Sequence, residues 1–382
     1  MTPSAPIRIF ADAHVFDGPY QGTRTFLQGL YTELAAAPGV DVYLGAQDIG
    51  ALRRAFAPVA DRIGFLPYRS RSRYGRLLWE IPQLLRRHQI DYAHFQYVAP
   101  LLRTCPYIVT THDLLFEELP AAFPRPYRHL RRHLFRRSAL RADIRTTVSQ
   151  YAVESITRRY GLGNDSLTLV PNAVTPFDWT PDLRGAARKR LQAQHGTSRY
   201  LLCVSRLEPR KNQQLLVKVF HQLGLAPQGY QLVLIGSRSL PVPELDAALA
   251  ALDEDTRAAI LLLQDVPGNV LRDWYLGAEL FLYPSLGEGF GIPPLEAALA
   301  RVPVLCSDRT ALSDFRFFGP DLVDPSDENA FAKSVTELLQ QPTPEALLEQ
   351  RANFITENYS WQSSAQLFLD RIRQHRAQTV DL

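Results

Sequence analysis

The chain has 382 residues, of which 46% are hydrophobic and 21% charged. This composition is ordinary for a folded protein of about two domains and excludes a largely disordered chain. The net charge of +3 conceals an uneven distribution, because residues 1–180 hold 22 basic residues against 15 acidic ones, whereas residues 181–382 hold 20 against 24.

The amino terminus, MTPSAPIRIF, lacks the charged start and long apolar core of a signal peptide, and no apolar run reaches the roughly 20 residues of a membrane-spanning helix. We therefore expect a cytoplasmic protein, which could still touch the inner face of a membrane. The three cysteines, Cys105, Cys203 and Cys306, stand in separate apolar runs, and none belongs to a C-x-x-C pair. We interpret them as buried strand residues in a reducing compartment rather than as a redox or metal site.

Short apolar segments alternate with longer amphipathic ones along the first half of the chain. The predicted strands are Ile7–Ala11, Val42–Leu44, Tyr92–Phe95, Tyr107–Thr111, Arg145–Val148 and Leu167–Val170. The predicted helices are Thr25–Ala36, Leu77–His88 and Tyr127–Arg141. Alternation of this kind predicts a parallel sheet with helices on both faces.

The second half repeats the pattern after a proline-rich segment, residues 171–185, that interrupts the periodicity. Strands are predicted at Tyr200–Val204, Leu232–Ile235, Ile260–Leu263, Leu280–Tyr283 and Val304–Cys306, and helices at Gln213–Leu223, Pro243–Leu252, Leu271–Leu276 and Pro294–Ala300. The fold class is therefore α/β, with two doubly wound Rossmann-like domains expected to face each other across a cleft. We place them at residues 1–180 and 181–360, with a terminal helix in residues 361–382 that crosses back to the first domain.

Two glycines follow the first predicted strand in the segment ADAHVFDGPYQGTRTF. Gly18 and Gly22 flank the residues Pro19–Gln21, and a glycine at such a position lets the backbone approach a ligand closely. Arg24 is a weaker candidate for an anion contact.

A histidine and an aspartate, His112 and Asp113, stand at the end of a predicted strand in IVTTHDLLF. Ligands bind beyond the carboxyl ends of the strands in sheets of this type. His112 is therefore a candidate site residue, although a lone histidine is more often structural. Asp113 is expected to orient His112 or to cap the turn.

An arginine-rich segment begins at Pro124 and has eight arginines between Arg125 and Arg145 against one acidic residue, Asp143. Leucine and phenylalanine side chains are interleaved with the arginines. Such a helix can bind an anionic membrane surface, or it can be a solvated face, and the sequence leaves both interpretations open. Because no base-reading motif accompanies it, we expect no nucleic-acid partner.

Two basic residues, Arg206 and Lys211, follow a predicted buried strand in LLCVSRLEPRKNQQLL. A diphosphate requires positive charge and N–H donors, and a basic loop at a strand end supplies both. Arg210, between them in the sequence, is expected to face solvent.

The segment FLYPSLGEGFGIPPLEAALA, residues 281–300, joins an apolar strand to a helix through a glycine-rich loop. Its glycines permit close approach of a ligand, and a helix start offers N–H groups to an anion. Glu288 and Glu296 flank the loop, and their carboxylates can accept hydrogen bonds from sugar hydroxyls. The alternative is a structural role in which a glutamate stabilises the start of the helix.

Together these segments resemble the retaining glycosyltransferases of family 4, which have the two-domain GT-B fold. The hallmark of that family, two glutamates separated by seven residues, occurs here as Glu288-GFGIPPL-Glu296. The R-x-x-x-x-K-N pattern that begins at Arg206 and the His-Asp-Leu that begins at His112 are also similar to the family. The loop around Gly22 departs from it, because the family usually has two or three adjacent glycines there.

The resemblance implies roles for the charged residues. Glu288 would contact hydroxyls of the donor sugar, and Glu296 would hold the ribose of the nucleotide. Arg206 and Lys211 would bind the donor diphosphate and stabilise the leaving nucleotide. With His112, which would lie beside the donor sugar, the residues Arg206, Lys211 and Glu288 are predicted to be catalytic.

The resemblance also assigns backbone contacts to the donor. The amides of Gly289, Phe290 and Gly291 would lie against the sugar and the phosphates. Gly22 matches the glycine that approaches the donor phosphate in the family. The donor-binding set is thereby predicted to be Gly22, Arg206, Lys211, Glu288, Gly289, Phe290, Gly291 and Glu296.

The implied activity is retaining transfer of a hexose, with mannose from GDP-mannose as the first candidate, to a glycan or polyprenyl-linked acceptor in surface polysaccharide synthesis. No cofactor and no metal are expected, because Asp253-Glu254-Asp255, a D-x-D sequence, follows a helical stretch and is interpreted as a solvated helix end. An epimerase or hydrolase that acts on a nucleotide sugar without an acceptor is the alternative. A non-catalytic binding protein of the same fold is a weaker third hypothesis.

Overall fold

The computed structural model describes residues 5–18, 21–120, 123, 125–176 and 178–380. Pro19 and Tyr20 of the predicted first loop, Pro124 of the arginine-rich segment and Phe177 of the proline-rich segment lie outside the described residues. The chain divides into two compact units, one formed by Met1–Ala173 with Tyr359–Leu382 and the other by Val174–Asn358.

Each unit contains one parallel sheet. The first sheet consists of β1 Ile7–Asp12, β2 Val40–Ala46, β3 Ile63–Pro67, β4 Tyr92–Gln96, β5 Tyr107–Thr110, β6 Ile144–Thr147 and β7 Thr168–Leu169. The second consists of β8 Tyr200–Val204, β9 Gln231–Ile235, β10 Ile260–Leu263, β11 Leu280–Tyr283, β12 Val304–Ser307 and β13 Leu322–Val323. The strands predicted from the sequence are present within two residues of their expected bounds.

The helices connect the strands within each unit. Those of the first unit are α1 Gly22–Ala36, α2 Ile49–Ala55, α3 Arg73–Gly75, α4 Ile81–Arg87, α5 Leu115–Glu118, α6 Arg125–Arg141 and α7 Gln150–Tyr160. Those of the second unit are α8 Pro181–His195, α9 Gln213–Gln222, α10 Pro243–Ala250, α11 Glu254–Ala258, α12 Gly268–Gly277, α13 Ile292–Leu299, α14 Glu328–Gln340 and α15 Glu345–Asn358. The last helix, α16 Trp361–Val380, belongs to the first unit.

The strand orders identify both sheets as doubly wound. The first runs β3-β2-β1-β4-β5-β6-β7 and the second runs β10-β9-β8-β11-β12-β13, with parallel pairing between neighbours. The order reverses between β1 and β4 in the first sheet and between β8 and β11 in the second. The prediction of two Rossmann-like domains is confirmed, and ligands are expected at these two reversals.

The strands are buried because the helices cover both faces of each sheet. Phe10 and Phe95 of neighbouring strands in the first sheet are fully buried, as are Leu202 and Phe281 in the second. The helix α16 packs on α1. The indole of Trp361 lies against Gly29 of α1, where a Cβ would lie 2.1 Å from the ring. The contact therefore requires a residue without a side chain at position 29.

Two strands, β3 and β13, were not predicted from the sequence. The strand β3 contains Gly64 and ends at Pro67, which are weak strand formers, and it lies at the edge of the first sheet. The strand β13 has two residues, too few to show a periodicity. Both are edge strands, where the burial that creates a continuous apolar run is weakest.

Candidate active site

The strand reversal of the second sheet brings two predicted segments together. The strands β8 and β11 are parallel neighbours, with Leu280 opposite Leu201. Their carboxyl ends therefore lie at one edge, and the loop containing Lys211 meets the loop containing Glu288. Sequence positions 77 apart are joined there by a direct side-chain contact.

Lys211 and Glu288 form a buried ion pair at this edge. Lys211 Nζ lies 2.5 Å from Glu288 Oε1, and the two side chains are 8% and 9% exposed. Lys211 Nζ also donates to the hydroxyl of Tyr283, the last residue of β11, at 3.0 Å. The lysine is thus held between the ends of two adjacent strands, within the predicted site.

Arg210 also lies inside this cluster, so the expectation that it faces solvent is wrong. Its side chain is 15% exposed, its Nη1 donates to Glu288 Oε2 at 3.0 Å, and its Nε donates to Glu208 Oε2 at 3.0 Å. The short helical turn Pro209–Lys211 directs both cations inward because two buried carboxylates need partners there. The sequence signal that was missed is Glu208, an acidic residue in an otherwise basic loop.

Arg206 lies at the outer end of the same cluster. Its Nη2 is 2.9 Å from Glu208 Oε1, and its side chain is 39% exposed. The charges therefore alternate from the surface inward, beginning at Arg206 and ending at Lys211. Arg206 is the cation most open to an incoming ligand, and Lys211 is the most deeply buried.

The electrostatics of the cluster keep its carboxylates ionised. Burial alone would raise the pKa of Glu288, but Lys211 and Arg210 outweigh that effect and hold its pKa at about 2. The pKa of Glu208 is lowered in the same way, against burial, by Arg210 and Arg206. Burial and the neighbouring Arg210 lower the pKa of Lys211, and Glu288 opposes them. The cluster is a fixed set of three cations and two anions.

The glycine-rich loop after Glu288 has one position that requires glycine. Gly291 has φ of 112°, and a Cβ there would lie 2.4 Å from Leu312 Cδ2. The backbone N–H of Glu288 donates to Thr310 Oγ1 at 2.8 Å, which fixes the start of the loop. Phe290 is buried against Phe315. The start and the middle of the loop are therefore held by contacts with other parts of the protein.

The helix α13 follows this loop and carries Glu296. Pro293 and Pro294 have no N–H, so the first turn of α13 offers fewer donors than an ordinary helix start, and the loop amides of Gly289–Gly291 are the better candidates. Glu296 Oε2 accepts a hydrogen bond of 2.7 Å from the hydroxyl of Tyr275. Burial raises the pKa of Glu296, and this hydrogen bond partly opposes the rise.

In the first unit, His112 follows β5 and is buried. Its Nε2 lies 2.6 Å from Gln96 Oε1, and its ring meets Phe26 edge to face at 5.0 Å. Because the amide oxygen of Gln96 can only accept, this contact places the ring proton on Nε2. Burial lowers the pKa of His112 to about 3, so the imidazole is neutral at physiological pH.

A second buried histidine, His94, lies behind His112 and was not predicted from the sequence. Gln96 Nε2 lies 3.0 Å from His94 Nε2, and His94 Nδ1 lies 2.8 Å from the hydroxyl of Tyr31. Burial, with a smaller effect of His112, lowers the pKa of His94 to about 3. The alternation of polar His94 and Gln96 in the otherwise apolar strand YAHFQ is the signal that could have indicated this network.

Other first-unit candidates have local roles. Asp113 Oδ1 accepts from the backbone N–H of Leu115 at 3.0 Å, in the turn that precedes α5. Gly22 begins α1, and a Cβ there would meet no atom of the described residues within 4 Å, so their packing does not require glycine at this position. The guanidinium of Arg24 lies 4.7 Å from the ring of Phe16.

Two family models match the chain. The model "Glycosyl transferases group 1" matches residues 187–361, and the model "Glycosyltransferase Family 4" matches residues 20–176. Between them they leave a short linker and the two termini unmatched. The chain belongs to glycosyltransferase family 4.

Curated relatives of this glycosyltransferase include three mannosyltransferases. The chain is 28% identical to the O-antigen chain mannosyltransferase B of Escherichia coli, over 67% of either chain. It is 25% identical to the O-antigen chain mannosyltransferase RfbU of Salmonella typhimurium, over 71% of this chain and 73% of the relative. It is 25% identical to the GDP-mannose-dependent alpha-(1-6)-phosphatidylinositol monomannoside mannosyltransferase of Mycolicibacterium smegmatis, over 74% and 76%.

Solved structures share the fold of this glycosyltransferase. A sucrose-phosphate synthase from Thermosynechococcus elongatus aligns with a TM-score of 0.75 at 19% identity, covering 98% of this chain and 99% of the other. The Anabaena protein Alr3699/HepE in complex with UDP-glucose aligns with a TM-score of 0.72 at 15% identity, covering 96% and 100%. The prediction of the GT-B fold is confirmed, and the protein is a transferase enzyme.

Several remaining expectations concern residues outside the site. Cys203 and Cys306 are buried strand residues as expected, whereas Cys105 precedes β5 and is only partly buried, so that part of the prediction is wrong. Asp253 accepts from the backbone N–H of Thr256 at 2.8 Å and begins α11. Across the part of the chain that the structure describes, no three potential metal ligands gather in one place.

The arginine-rich segment forms α6. Arg125, Arg132, Arg136 and Arg141 are exposed, whereas Phe135 and Ala139 pack inward. Within the described ranges, no helix combines the length and the apolar character needed to cross a membrane.

Proposed function

We propose that this glycosyltransferase transfers a hexose with retention of anomeric configuration and without a metal ion. Mannose from GDP-mannose is the first candidate for the donor, and a glycan or lipid-linked glycan in surface polysaccharide synthesis is the first candidate for the acceptor. The names of the three mannosyltransferase relatives, two of which act on O-antigen chains and one of which depends on GDP-mannose, support this choice.

The cluster of Arg206, Arg210 and Lys211 with Glu208 and Glu288 carries the proposal. Its three cations exceed its two carboxylates, and it lies at the strand reversal where doubly wound sheets bind nucleotides. The one excess positive charge would offset part of the negative charge of a nucleoside diphosphate bound there. The cluster can thus supply the stabilisation of a leaving diphosphate that a metal ion supplies in other enzymes.

The proposed reaction breaks the bond between the anomeric carbon and the diphosphate oxygen. Arg206 and Lys211 stabilise the negative charge that develops on the departing nucleoside diphosphate. The acceptor hydroxyl forms the new bond from the same face, and its proton passes to an oxygen of the leaving phosphate. Glu288 positions Lys211 and a sugar hydroxyl, and Glu296 with Tyr275 holds the ribose.

His112 is proposed to line the donor sugar as a neutral group. With a pKa of about 3, lowered by burial, it carries no charge that would compete for the diphosphate. Its Nε2 is engaged by Gln96, so Nδ1 is the nitrogen that remains to accept a hydrogen bond. The imidazole therefore shapes the reaction centre rather than transferring the proton.

We further propose that the enzyme works in the cytoplasm and that α6 attaches it to an anionic membrane surface. The exposed arginines of Arg125–Arg141 would contact lipid phosphates, at about 1 kcal/mol for each residue near the surface. Sedimentation with vesicles containing anionic lipid tests this part. Binding that is unchanged when Arg125, Arg132 and Arg136 are replaced by glutamine would contradict it.

The experiment for the main proposal begins with a thermal-shift panel of UDP-, GDP-, dTDP- and ADP-sugars, because a ligand that binds the folded state raises its melting temperature. Turnover of the stabilising donor is then measured with and without acceptor glycosides, and the anomeric configuration of the product is assigned by NMR. An inverted product would refute the retaining mechanism. Donor consumption at full rate without an acceptor would show a hydrolase or epimerase instead.

A further inference from the structure

A cavity at the amino edge of the first sheet has no role in the proposed reaction. It has a volume of about 490 Å³ and lies where α6 ends, beside the start of β5 and the turn that precedes β6. His112 follows β5, so the predicted site residue of this unit lies at the opposite end of the same strand. The cavity is therefore separate from the sheet edge where a doubly wound domain binds its substrates.

The lining of this cavity is positively charged. It contains three arginines, Arg103, Arg137 and Arg141, and one acidic residue, Asp143, which gives a net charge of +2. Asp143 is already engaged, because its carboxylate forms an ion pair with Arg103 and accepts a hydrogen bond of 2.8 Å from the backbone N–H of Tyr107. The two arginines of α6 are therefore left without a counter-charge in the lining.

Arg137 and Arg141 lie one turn apart on α6, so both side chains reach the cavity from the same face of the helix. Within the described residues, no carboxylate lies within 4.0 Å of either guanidinium. Burial, and then the charge of Arg141, lower the pKa of Arg137, and no acidic group opposes them. Like charges at this spacing destabilise a helix, so a bound anion would relieve a cost that the fold carries.

The end of α6 does not need these two arginines. A cation near the last turn of a helix commonly binds the free carbonyl groups there. In this protein Arg145 does so, because its Nε donates to the carbonyl of Ala139 at 2.6 Å and its Nη2 donates to the carbonyl of Leu140 at 3.1 Å. Arg137 and Arg141 are therefore available for a ligand.

Hydrogen bonds hold the walls of the cavity. The hydroxyl of Tyr107 donates to the carbonyl of Leu102 at 2.6 Å. The backbone N–H of Ala99 donates to Ser138 Oγ at 3.1 Å. These bonds join the loop between β4 and β5 to the strand β5 and to the helix α6. The protein itself therefore sets the shape of the cavity.

Exposed leucines border the charged part of the cavity. Leu101 and Leu140 line it and are 54% and 36% exposed, and the adjacent Leu102 is 49% exposed. A free inorganic phosphate would use the arginines and leave these apolar side chains in water. A phospholipid would use both, because its phosphate can bind the arginines while its acyl chains cover the leucines.

We propose that this cavity binds the phosphate group of an anionic phospholipid. Arg137 and Arg141 hold the phosphate oxygens, and the exposed leucines at the rim lie against the acyl chains. A guanidinium can donate two parallel hydrogen bonds to a phosphate, which favours a defined site over a diffuse attraction. This inference rests on the membrane attachment included in the proposed function, to which it adds a lipid site. The donor and the acceptor of the reaction have no part in it.

The first test titrates a water-soluble lipid, dihexanoyl phosphatidic acid, into the full-length protein in a calorimeter, with no membrane present. The double variant Arg137→Gln, Arg141→Gln should bind this lipid at least roughly tenfold more weakly than the wild type, because it loses charge-assisted hydrogen bonds. The matched control is Arg53→Gln, Arg54→Gln, which removes two exposed arginines from the last turn of α2 and should leave the affinity unchanged. Equal affinities of the two double variants would overturn the proposal.

A second titration distinguishes a lipid from a free phosphate. Inorganic phosphate and dihexanoyl phosphatidic acid are each titrated into the wild type and into the double variant Leu101→Ser, Leu102→Ser. The leucine variant should bind the lipid roughly threefold to tenfold more weakly, since less apolar surface is covered, and should bind inorganic phosphate unchanged. Inorganic phosphate that binds the wild type as tightly as the lipid does would refute the lipid site.

Sedimentation with vesicles that contain phosphatidic acid separates this inference from the proposed attachment. Replacement of Arg125, Arg132 and Arg136 by glutamine tests the exposed face of α6, whereas replacement of Arg137 and Arg141 tests the cavity. A protein that binds the soluble lipid through the cavity arginines but does not sediment with vesicles supports the lipid site and refutes the attachment. A protein that sediments with vesicles but does not bind the soluble lipid refutes the lipid site alone.

Discussion

The ends of β8 and β11 in the second unit meet in an ionic cluster, whereas the ends of β4 and β5 in the first unit meet in a network of neutral hydrogen-bonded side chains. In the second, Arg210 and Lys211 share the carboxylate of Glu288. In the first, Gln96 connects two buried histidines. The ionic cluster lies at the strand reversal between β8 and β11, whereas the histidine network lies on β4 and β5, next to the corresponding reversal between β1 and β4.

This difference separates two tasks that one reaction needs. Stabilising a leaving diphosphate requires excess positive charge held in a fixed position, and we propose that the cations of the second unit supply it. Neutral donors and acceptors held in fixed positions, as in the network of the first unit, suit the recognition of a sugar hydroxyl instead. One fold, used twice, can serve both tasks because the side chains at the strand ends differ while the sheets do not.

The largest effect should follow removal of the buried lysine from the ionic site. Lys211→Ala removes the most buried cation of the cluster, so donor turnover should fall roughly 10²–10³-fold, as when an electrostatic stabiliser of a transition state is removed. Release of the nucleoside diphosphate is the measurement. Lys333→Ala, whose side chain is 76% exposed, is the matched control. Undiminished turnover in Lys211→Ala would break the assignment of the second unit to diphosphate chemistry.

Acid should weaken the first unit at a higher pH than the second. Burial lowers the pKa of His94 and His112 to about 3 from an ordinary value of 6.5, so protons bind the unfolded chain more readily than the folded one. Stability is therefore complete above about pH 6.5 and falls with decreasing pH, by about 1.4 kcal/mol per pH unit for each histidine.

The ionic site of the second unit responds at lower pH. Despite burial, Lys211 and Arg210 hold the pKa of Glu288 at about 2, below its ordinary value of 4.5, so its contribution is complete above pH 4.5 and is lost as the pH falls toward 2. Hydrogen exchange at pH 7 and pH 5, corrected for the intrinsic rate, should show lost protection in β4 and β5 before β8 and β11. Equal losses in both sheets would contradict this difference.

Substitution by alanine should change the free energy of unfolding differently at Gly291 and at Gly22. Gly291→Ala places a Cβ 2.4 Å from Leu312 and enforces an unfavourable backbone angle, so urea unfolding should show a loss of about 1–3 kcal/mol. Gly22→Ala, at a helix start with open space around it, should leave stability unchanged or slightly higher. If Gly22→Ala instead weakens donor binding while the fold is stable, the first unit contacts the donor phosphate as the family resemblance implies.

The smallest effect concerns Glu296, which we propose to hold the ribose. Tyr275→Phe removes the hydrogen bond to Glu296, so donor affinity should fall by about 1 kcal/mol, or roughly fivefold, in a calorimetric titration. Tyr230→Phe, which removes a hydroxyl bonded to Arg199, is the control and should not change donor affinity. An equal loss in both variants would show that the effect is one of general stability.

The sequence by itself determined the fold class and indicated the motif residues of the predicted donor site. Buried parallel strands leave continuous apolar runs, and the residues Glu288 and Glu296 belong to one contiguous segment whose spacing is visible in the chain. Lys211 was found for the same reason, since the loop after a buried strand is a local feature. The edge strands β3 and β13 were missed because they lack this buried signature.

Only the tertiary structure decided which of these residues meet. Arg210 binds a carboxylate 78 positions away because β8 and β11 are neighbours, and no local pattern distinguishes such an arginine from a solvated one. The same holds for the bond between Gln96 and His112, which depends on the pairing of β4 with β5. The contact of Asp12 with Tyr68 likewise joins two strand ends 56 positions apart. Strand order is a property of the whole sheet, so the partners of these charged and polar groups appear only when the sheet is assembled.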